Sequence, residues 1–298
     1  MPSLKHLRNR ISGVKSTKKI TSAMKLVAGA RLKRAQIAAT TSRPYVAKIE
    51  GLINNITSSV QNIENLPKIV KGSESNKIHL IVLITSDRGL CGSFNTAMVK
   101  LAKKRINELL NSNKIVKILC VGKKGYNQLK REYKDLIINT IVLPYKSNEV
   151  DYEFAQKVSH RILMMYENDK FDSASIIFSL FRSPLKQEPQ LKQIIPVLNN
   201  DENTTKNSVE SIDKEIYEYE PEEEYILKNL IPHNISIQIY RGLLENAAGE
   251  EGARMTAMDN ATRNAGELID SLTLNYNRSR QAQITKELIE VISGAEAV

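Results

Sequence analysis

The residues whose types and spacing best suit chemistry lie in one short stretch, 86–92, with the sequence SDRGLCG. Its glycines, Gly89 and Gly92, fall between a predicted strand and a predicted helix, the place where dinucleotide-binding folds hold phosphate. The stretch lacks the G-x-G-x-x-G spacing of such a site, and residues 122–125 (GKKG) do not match a nucleotide phosphate loop. A tight structural turn is the favoured interpretation, with Asp87 and Arg88 forming a local ion pair on it.

Cysteine and histidine usage gives no sign of a nucleophilic or metal site. Cys91 and Cys120 provide neither a disulfide framework nor a ligand cluster, which favours a reducing compartment. No histidine is placed by sequence to activate Cys91, so we interpret it as a small buried thiol. The four histidines, scattered without ligand spacing, are His6, His79, His160 and His233. We predict no catalytic residue, no cofactor and no metal site.

Strands and helices alternate between residues 78 and 198. The predicted strands are 78–85, 115–121, 136–143, 175–181 and 193–198. The predicted helices are 93–111, a second ending near residue 133, and 151–168. The first strand, IHLIVLIT, is almost wholly apolar, which is typical of a parallel strand buried on both faces. This alternation predicts an α/β layer with right-handed crossovers.

The N-terminal stretch before Glu50 predicts a long basic helix. It has no acidic residue and holds twelve lysines and arginines, so the rest of the chain, with 31 basic and 33 acidic residues, is slightly negative. The predicted apolar stripe is Leu4, Leu7, Ile11, Val14, Ile20, Met24, Val27, Leu32 and Ala35, resuming at Ile49, Leu52, Ile56, Val60 and Ile63. Pro44 is expected to kink the helix or break it. The charge indicates a solvated face, an acidic protein partner or nucleic acid.

The C-terminal stretch also predicts a long helix, because no proline follows Pro232, which is itself expected to interrupt or kink the chain. Small and apolar residues recur there at the 3.5-residue period of a coiled coil. They are Met258, Ala261, Ala265, Leu268 and Leu272. Residues 199–214 predict an exposed acidic loop, 215–219 a short edge strand, and Pro221 a helix start.

The two long helices can satisfy one another as an antiparallel coiled coil. The sequence therefore predicts a shaft helix at 1–70, an inserted Rossmann-like α/β domain at 71–220, and a second shaft helix at 221–298. No run of eighteen apolar residues exists, so we predict no insertion into a bilayer. The first thirty residues lack the apolar core of a secretory signal.

Three stretches carry a resemblance to a known family: 8–36 (RNRISGVKSTKKITSAMKLVAGARLKRAQ), 84–95 (ITSDRGLCGSFN) and 239–295, which begins IYRGLLENAAGEEGARM. In order and spacing they resemble the γ subunits of F-type ATP synthases, of the bacterial type. The resemblance implies a rotor shaft that stands inside a hexamer of α and β subunits, with one copy per complex. It also implies that the α/β domain lies against the ε subunit and the membrane ring of c subunits.

The resemblance further implies that the β subunits catalyse ADP phosphorylation and that this chain does not. It places Met24 and Lys25 against an acidic loop of β. The C-terminal positions that it places at the inner wall of the hexamer are Arg254, Gln281, Thr285 and Glu287. From the residues alone, a helix-surface salt bridge explains Arg254 equally well. Residues 293–298, small or apolar apart from Glu296, match a tip in an apolar sleeve.

Two cysteines as far apart as Cys91 and Cys120 do not match the regulatory pair of chloroplast members. Because the shaft helix begins directly after Met1-Pro2, we expect a peripheral protein on the cytoplasmic face of a bacterial inner membrane. Two other functions stay open. A basic arm on an α/β body suits nucleic acid, although Tyr45 is the single aromatic before Glu50. A nucleotide enzyme is the second, against which the missing phosphate-loop spacing counts.

Overall fold

The computed structural model describes residues 3–59, 67–73, 75–144, 150–197 and 223–296. The helices are α1 (Leu4–Ser59), α2 (Lys68–Lys71), α3 (Phe94–Asn111), α4 (Lys123–Tyr133), α5 (Tyr152–Glu167) and α6 (Glu223–Glu296). The strands are β1 (Ile78–Ile84), β2 (Ile115–Val121), β3 (Ile137–Ile141), β4 (Ser173–Ser183) and β5 (Lys186–Ile195). The result is a mixed α/β fold with a long helix towards each end of the chain, as the periodicity predicts.

The chain divides into two compact units. The helix-pair unit comprises Met1–Ala30 and Arg254–Val298, and the sheet unit comprises Arg31–Ala253. No helix within the described ranges is both long and apolar enough to cross a membrane.

The sheet unit is built on five strands in the order β3-β2-β1-β4-β5. β1 pairs in parallel with β2 and β4, and β3 pairs in parallel with β2. Alternate side chains of β1 enter two separate cores, because successive residues of a strand point to opposite faces. Leu80, Val82 and Ile84 pack with α5 and α6, whereas Ile81 and Leu83 pack with α3 and α4. This double burial explains why β1 is apolar throughout.

The last two strands depart from the predicted crossovers. β4 and β5 form an antiparallel hairpin, and β5 begins at Lys186 rather than near residue 193. The turn is held by side chains: Ser183 Oγ accepts from Lys186 N at 3.1 Å, and Gln187 Nε2 donates to the Pro184 carbonyl at 2.7 Å. Residues 186–192, KQEPQLK, are polar and lack the apolar pattern that predicts a buried strand. They form a strand nevertheless, because β5 is a half-buried edge strand, where a proline such as Pro189 is tolerated.

Pro44 and Pro232 lie inside continuous helix, so of the two expected outcomes, a kink or a break, the break is wrong. Burial on either side outweighs the lost hydrogen bond, which costs about 3 kcal/mol or more. Val46 and Ile49 are buried after the first proline, and Ile231 and Ile235 flank the second.

In the helix-pair unit, α1 and α6 run antiparallel. Arg8 Nη2 donates to Tyr276 Oη at 3.0 Å, Thr262 Oγ1 to Thr21 Oγ1 at 2.8 Å, and Lys25 Nζ to Asp259 Oδ1 at 2.6 Å. Residue numbers thus rise on α1 as they fall on α6. The predicted seam is confirmed at Leu7 and, on α6, at Met258, Ala265 and Leu272, all of which are buried.

One part of the predicted stripe on α1 is wrong. Ile20 and Val27 are 60% and 52% exposed, and the seam continues instead through Thr21 and Ala28. Thr21 and Ala28 continue the seven-residue spacing of Leu7 and Val14. A threonine can occupy this buried seam position because its hydroxyl is hydrogen-bonded to Thr262 and to the Lys18 carbonyl. Farther along α1, Ile53 is buried in place of Leu52.

The predicted acidic loop at 199–214, the edge strand at 215–219 and the helix start at Pro221 lie outside the described residues. So do Val60, Ile63 and the last two residues of the predicted tip.

Candidate functional site

Asp87 ties together three segments at the carboxyl edge of the parallel strands. Its Oδ1 accepts from the backbone N of Lys123 at 2.6 Å, at the start of α4. Its Oδ2 accepts from the backbone N of Leu143 at 3.0 Å, beyond the end of β3. The carboxylate therefore occupies the positive end of the α4 dipole. The prediction of a purely local pair with Arg88 missed these two longer-range bonds.

Asn95, which the sequence reasoning did not single out, fixes the same turn from the start of α3. Its Oδ1 accepts from Ser86 N at 3.0 Å, and its Nδ2 donates to Ser86 Oγ at 2.8 Å and to Cys91 Sγ at 3.2 Å. Asn95, Ser86 and Cys91 are all buried. Ser93 occupies the cap position of α3, yet its side chain makes no capping hydrogen bond.

The start of α4 is packed closely against the end of β1, and its first amides are bonded to protein acceptors. Gly122 has φ +104°, and a Cβ added there would lie 2.1 Å from the Thr85 carbonyl oxygen. The following amides are taken by protein acceptors: Lys124 N donates to the Ser86 carbonyl at 3.0 Å, and Gly125 N donates to Thr85 Oγ1 at 2.9 Å. Because phosphate sites use such amides as unpaired donors, the geometry is that of a structural junction.

The exposed part of the turn is its tip. Arg88 is exposed, and its carbonyl accepts from Ser86 Oγ at 2.5 Å. Leu90 is 62% exposed with φ +65°, an uncommon conformation for a branched residue. Gly92, at φ +58°, completes the turn, and Gly89 packs beside the Lys124 side chain. The turn therefore presents an arginine and a leucine on a rigid base.

The two thiols are structural. Cys91 and Cys120 are both buried and unbonded to each other. Burial raises the pKa of the Cys120 thiol to about 12, so it stays protonated at neutral pH. Among the described residues, no cluster of three or more His, Cys, Asp or Glu side chains could hold a metal ion.

In the helix-pair unit, Lys25 is held by Asp259 and Met24 is half-buried. The hydrogen bond from Lys25 is the main reason that the pKa of Asp259 lies below its ordinary value. Arg254 is 7% exposed, so it is largely buried within the described part of the chain. The contacts between α1 and α6 place Met24, Lys25 and Arg254 in the same part of the helix-pair unit.

The end of α6 is different, because every described side chain from 281 to 293 is exposed. This stretch contains Gln281, Thr285 and Glu287, the last of which accepts from Gln283 Nε2 at 2.9 Å. It also contains Ile284, Leu288, Ile289, Val291 and Ile292, which are 49–70% exposed. A row of this size on one helix end indicates a surface that a partner covers.

One buried charge of the sheet unit, Glu245, was missed by the sequence reasoning. Glu245 on α6 has a fully buried side chain and pairs with Arg43 on α1 at 2.7 Å. Nothing in a single sequence separates a buried glutamate among leucines from one on an exposed helix face. Its partner becomes visible only in the fold.

A family model described as ATP synthase matches residues 3–298. The ATP synthase gamma chain of Sinorhizobium medicae is 48% identical over 298 residues, covering 100% of both chains. That of Pelagibacter ubique is 49% identical with the same coverage. The chain belongs to the ATP synthase gamma-chain family. The resemblance found in residues 8–36, 84–95 and 239–295 is thereby confirmed over the whole chain.

Solved structures agree with this family assignment at the level of the fold. A chain of the rotor of Euglena gracilis mitochondrial ATP synthase, in rotational state 1, has a TM-score of 0.66 at 20% identity. It covers 94% of this gamma-family chain and 98% of its own length. A chain from the central stalk and c-ring structure of Tetrahymena thermophila mitochondrial ATP synthase has a TM-score of 0.59 at 24% identity, covering 81% and 99% respectively.

Proposed function

We propose that this chain is the central rotor shaft of a proton-translocating ATP synthase, coupling rotation of the c-ring to ATP synthesis or hydrolysis at the β subunits. The observation that carries the proposal is the full-length identity of 48–49% to bacterial gamma chains. The antiparallel seam of α1 and α6 supports it, because a paired helix is a stiff element suited to carry twist.

The shaft needs no catalytic group of its own. A rotor can bias a site only by contacting its conformations unequally, and a shaft with unlike faces does so at successive angles. We therefore assign catalysis to the partner β subunits, and to this chain no cofactor or metal. The filled amides at the start of α4 support this assignment.

We assign the rotor–stator contacts to Met24, Lys25, Arg254, Gln281, Thr285 and Glu287. Support is strongest for Gln281, Thr285 and Glu287, which are exposed beside the apolar row at the end of α6. The basic residues of 4–30 suit an acidic partner surface. The tip of the 86–92 turn, with Arg88 and Leu90, is a further contact point of this kind.

We place the sheet unit outside the hexamer, against the ε subunit and the c-ring. The strand order β3-β2-β1-β4-β5 with four parallel strands supports a Rossmann-like domain, whose antiparallel edge is β5. We retain 1–70, 71–220 and 221–298 as the functional division of the chain. The complex then holds one copy, peripheral on the cytoplasmic face of the inner membrane.

The proposal is tested by mixing the purified chain with α and β subunits of a bacterial ATP synthase in the presence of nuclease. We expect a stable complex with one copy of this chain per three α and three β, and ATP hydrolysis that depends on it. Failure of the chain to join α and β would overturn the proposal. Salt-sensitive binding of the chain to DNA instead would favour the nucleic-acid alternative.

A further inference from the structure

Glu245 forms a buried polar junction among three elements of the sheet unit. Its Oε1 accepts from Arg43 Nε at 2.7 Å, and its Oε2 from Arg43 Nη2 at 3.0 Å. The same Oε2 accepts from the backbone N of Phe181 at 2.9 Å. Arg43 Nη2 closes the arrangement by donating to the Phe181 carbonyl at 2.8 Å. One carboxylate and one guanidinium thus join α1, α6 and the end of β4.

A second junction of the same kind is centred on Glu50 of α1. Its Oε1 accepts from Lys192 Nζ on β5 and from Gln238 Nε2 on α6. Lys192 Nζ also donates to Gln238 Oε1 at 3.0 Å, and Arg241 Nη1 lies 3.8 Å from Glu50 Oε1. Burial is the main cause that lowers the pKa of Lys192. This junction again joins α1, α6 and an edge region of the sheet.

The two junctions are in matching register. Arg43 and Glu50 lie seven residues apart on α1, and Gln238 and Glu245 lie seven residues apart on α6. The charges are arranged in opposite senses. α1 supplies the cation and α6 the anion at the first junction, whereas α1 supplies the anion at the second.

We propose that these junctions, Arg43–Glu245–Phe181 and Glu50–Lys192–Gln238, are the positions at which the sheet holds α1 and α6 within the sheet unit, so that twist passes between the sheet and these two helices without slip. The proposal rests on the function proposed above. Glu245 and Glu50 are positioning residues in it, since they act through the helices and not on ATP.

The physical reason lies in the difference between polar and apolar contacts. Apolar contacts between α6 and the sheet are non-directional, so they tolerate small sliding movements. A bidentate ion pair is directional. Sliding α1 by one heptad in one direction brings Glu50 opposite Glu245, two like charges in a partly buried site. In the other direction it brings Arg43 into the region of Gln238 and Arg241. Both displacements are opposed electrostatically.

The test uses inverted membrane vesicles that contain the complete ATP synthase assembled with this chain. Glu245→Gln, Glu50→Gln and the double variant are compared with the unchanged chain. ATP hydrolysis and ATP-driven acidification, followed with a pH-sensitive dye, are measured on the same vesicles. We expect hydrolysis within twofold of the unchanged chain, at least a threefold drop in acidification per ATP hydrolysed, and the largest drop in the double variant.

The matched control is Glu132→Gln, which removes the surface pair between Lys103 of α3 and Glu132 of α4 without touching α1 or α6. It should leave acidification per ATP unchanged. If Glu245→Gln does not assemble, Arg43→Lys keeps the charge while losing the two-pronged hydrogen bond, and it carries the same expectation.

The proposal is overturned if acidification per ATP stays at the unchanged level in assembled variants, even where their thermal stability falls. In that case the junctions serve folding alone. A wrong rotor assignment gives a different result. In that case, vesicles with the unchanged chain would show no ATP-driven acidification at all.

Discussion

At the scale of single residues, polar side chains do most of the positioning in the sheet unit. Asp87 and Glu245 bond to segments far away in sequence, whereas Asn95 bonds to Ser86 in the adjacent turn. Their residue types were visible in the sequence, but their partners were not, because partner choice depends on which chain ends the topology brings together. Asp87 was singled out as a member of the 86–92 turn, whereas Glu245 lies in the 239–295 stretch and was not singled out there.

Replacing Asp87 with alanine removes two hydrogen bonds to a charged acceptor and leaves Lys123 N and Leu143 N without it. Since such bonds contribute about 1.5–3 kcal/mol each when buried, and Asp87 is half-buried, we expect a loss of about 2 kcal/mol in the free energy of unfolding. Urea denaturation measures it. Asp135→Ala, at an exposed carboxylate, should change stability by less than about 0.5 kcal/mol.

His79 makes the fold sensitive to acid. Its Nδ1 lies 2.6 Å from Ser173 Oγ, its Nε2 has no hydrogen-bond partner among the described residues, and burial lowers its pKa below the ordinary 6.5. The unfolded chain therefore takes up a proton near pH 6.5 that the folded chain resists. Stability from this residue is fully present above that pH and is lost as the pH falls below it.

The expected loss is at most about 1.4 kcal/mol per pH unit, the limit for one proton. Urea titrations at pH 7.5 and pH 5.5 should therefore differ less in His79→Gln than in the unchanged chain. His160→Gln, at an exposed histidine, should keep the full difference. An identical pH dependence in the unchanged chain and His79→Gln would contradict the assignment.

At the scale of elements, the period and apolarity of the sequence predicted most helices and the buried parallel strands. β1 and α3 were placed within a residue or two, since each has a strong pattern. β5 was misplaced because an edge strand needs little apolar surface. The continuity of the helices through Pro44 and Pro232 was not predicted. The rule that proline disfavours a helix interior does not take into account the side chains that are buried around each proline.

Two helix starts offer a direct comparison of capping. Asp151 accepts from Glu153 N at 3.2 Å at the start of α5, whereas Ser93 makes no side-chain cap at the start of α3. We expect Asp151→Ala to lower the free energy of unfolding by about 1 kcal/mol. Ser93→Ala should lower it by much less. Equal losses in the two variants, measured by thermal unfolding, would show that the capping bond is not what stabilises α5.

At the scale of the whole molecule, charge and apolar exposure are both unevenly distributed along the chain. The basic excess lies before Glu50, and the exposed apolar row lies at the other end of the sequence. The family assignment explains why the sequence carries both, since each suits a partner rather than water. Composition alone revealed the first feature, while the second required the burial pattern of α6.

Deleting residues 287–298 should separate folding from function. Described side chains between 287 and 293 are exposed, so we expect the thermal midpoint of the isolated chain to change by no more than about 2 °C. Coupled ATP synthesis in membranes should fall, because the deletion removes Glu287 and most of the apolar row. Unchanged coupled synthesis would count against the rotor–stator contacts assigned to this end.

The exposed row at the end of α6 also bears on how the cell must make this protein. Ile284, Leu288, Val291 and Ile292 recur at intervals that place them along one helix face, and all four lie open to water. A copy produced in excess of its partners leaves this apolar surface exposed. We expect such a copy to self-associate and to be bound by chaperones and proteases. We therefore expect surplus copies to be short-lived, and the steady amount of this protein to follow the supply of its partner subunits.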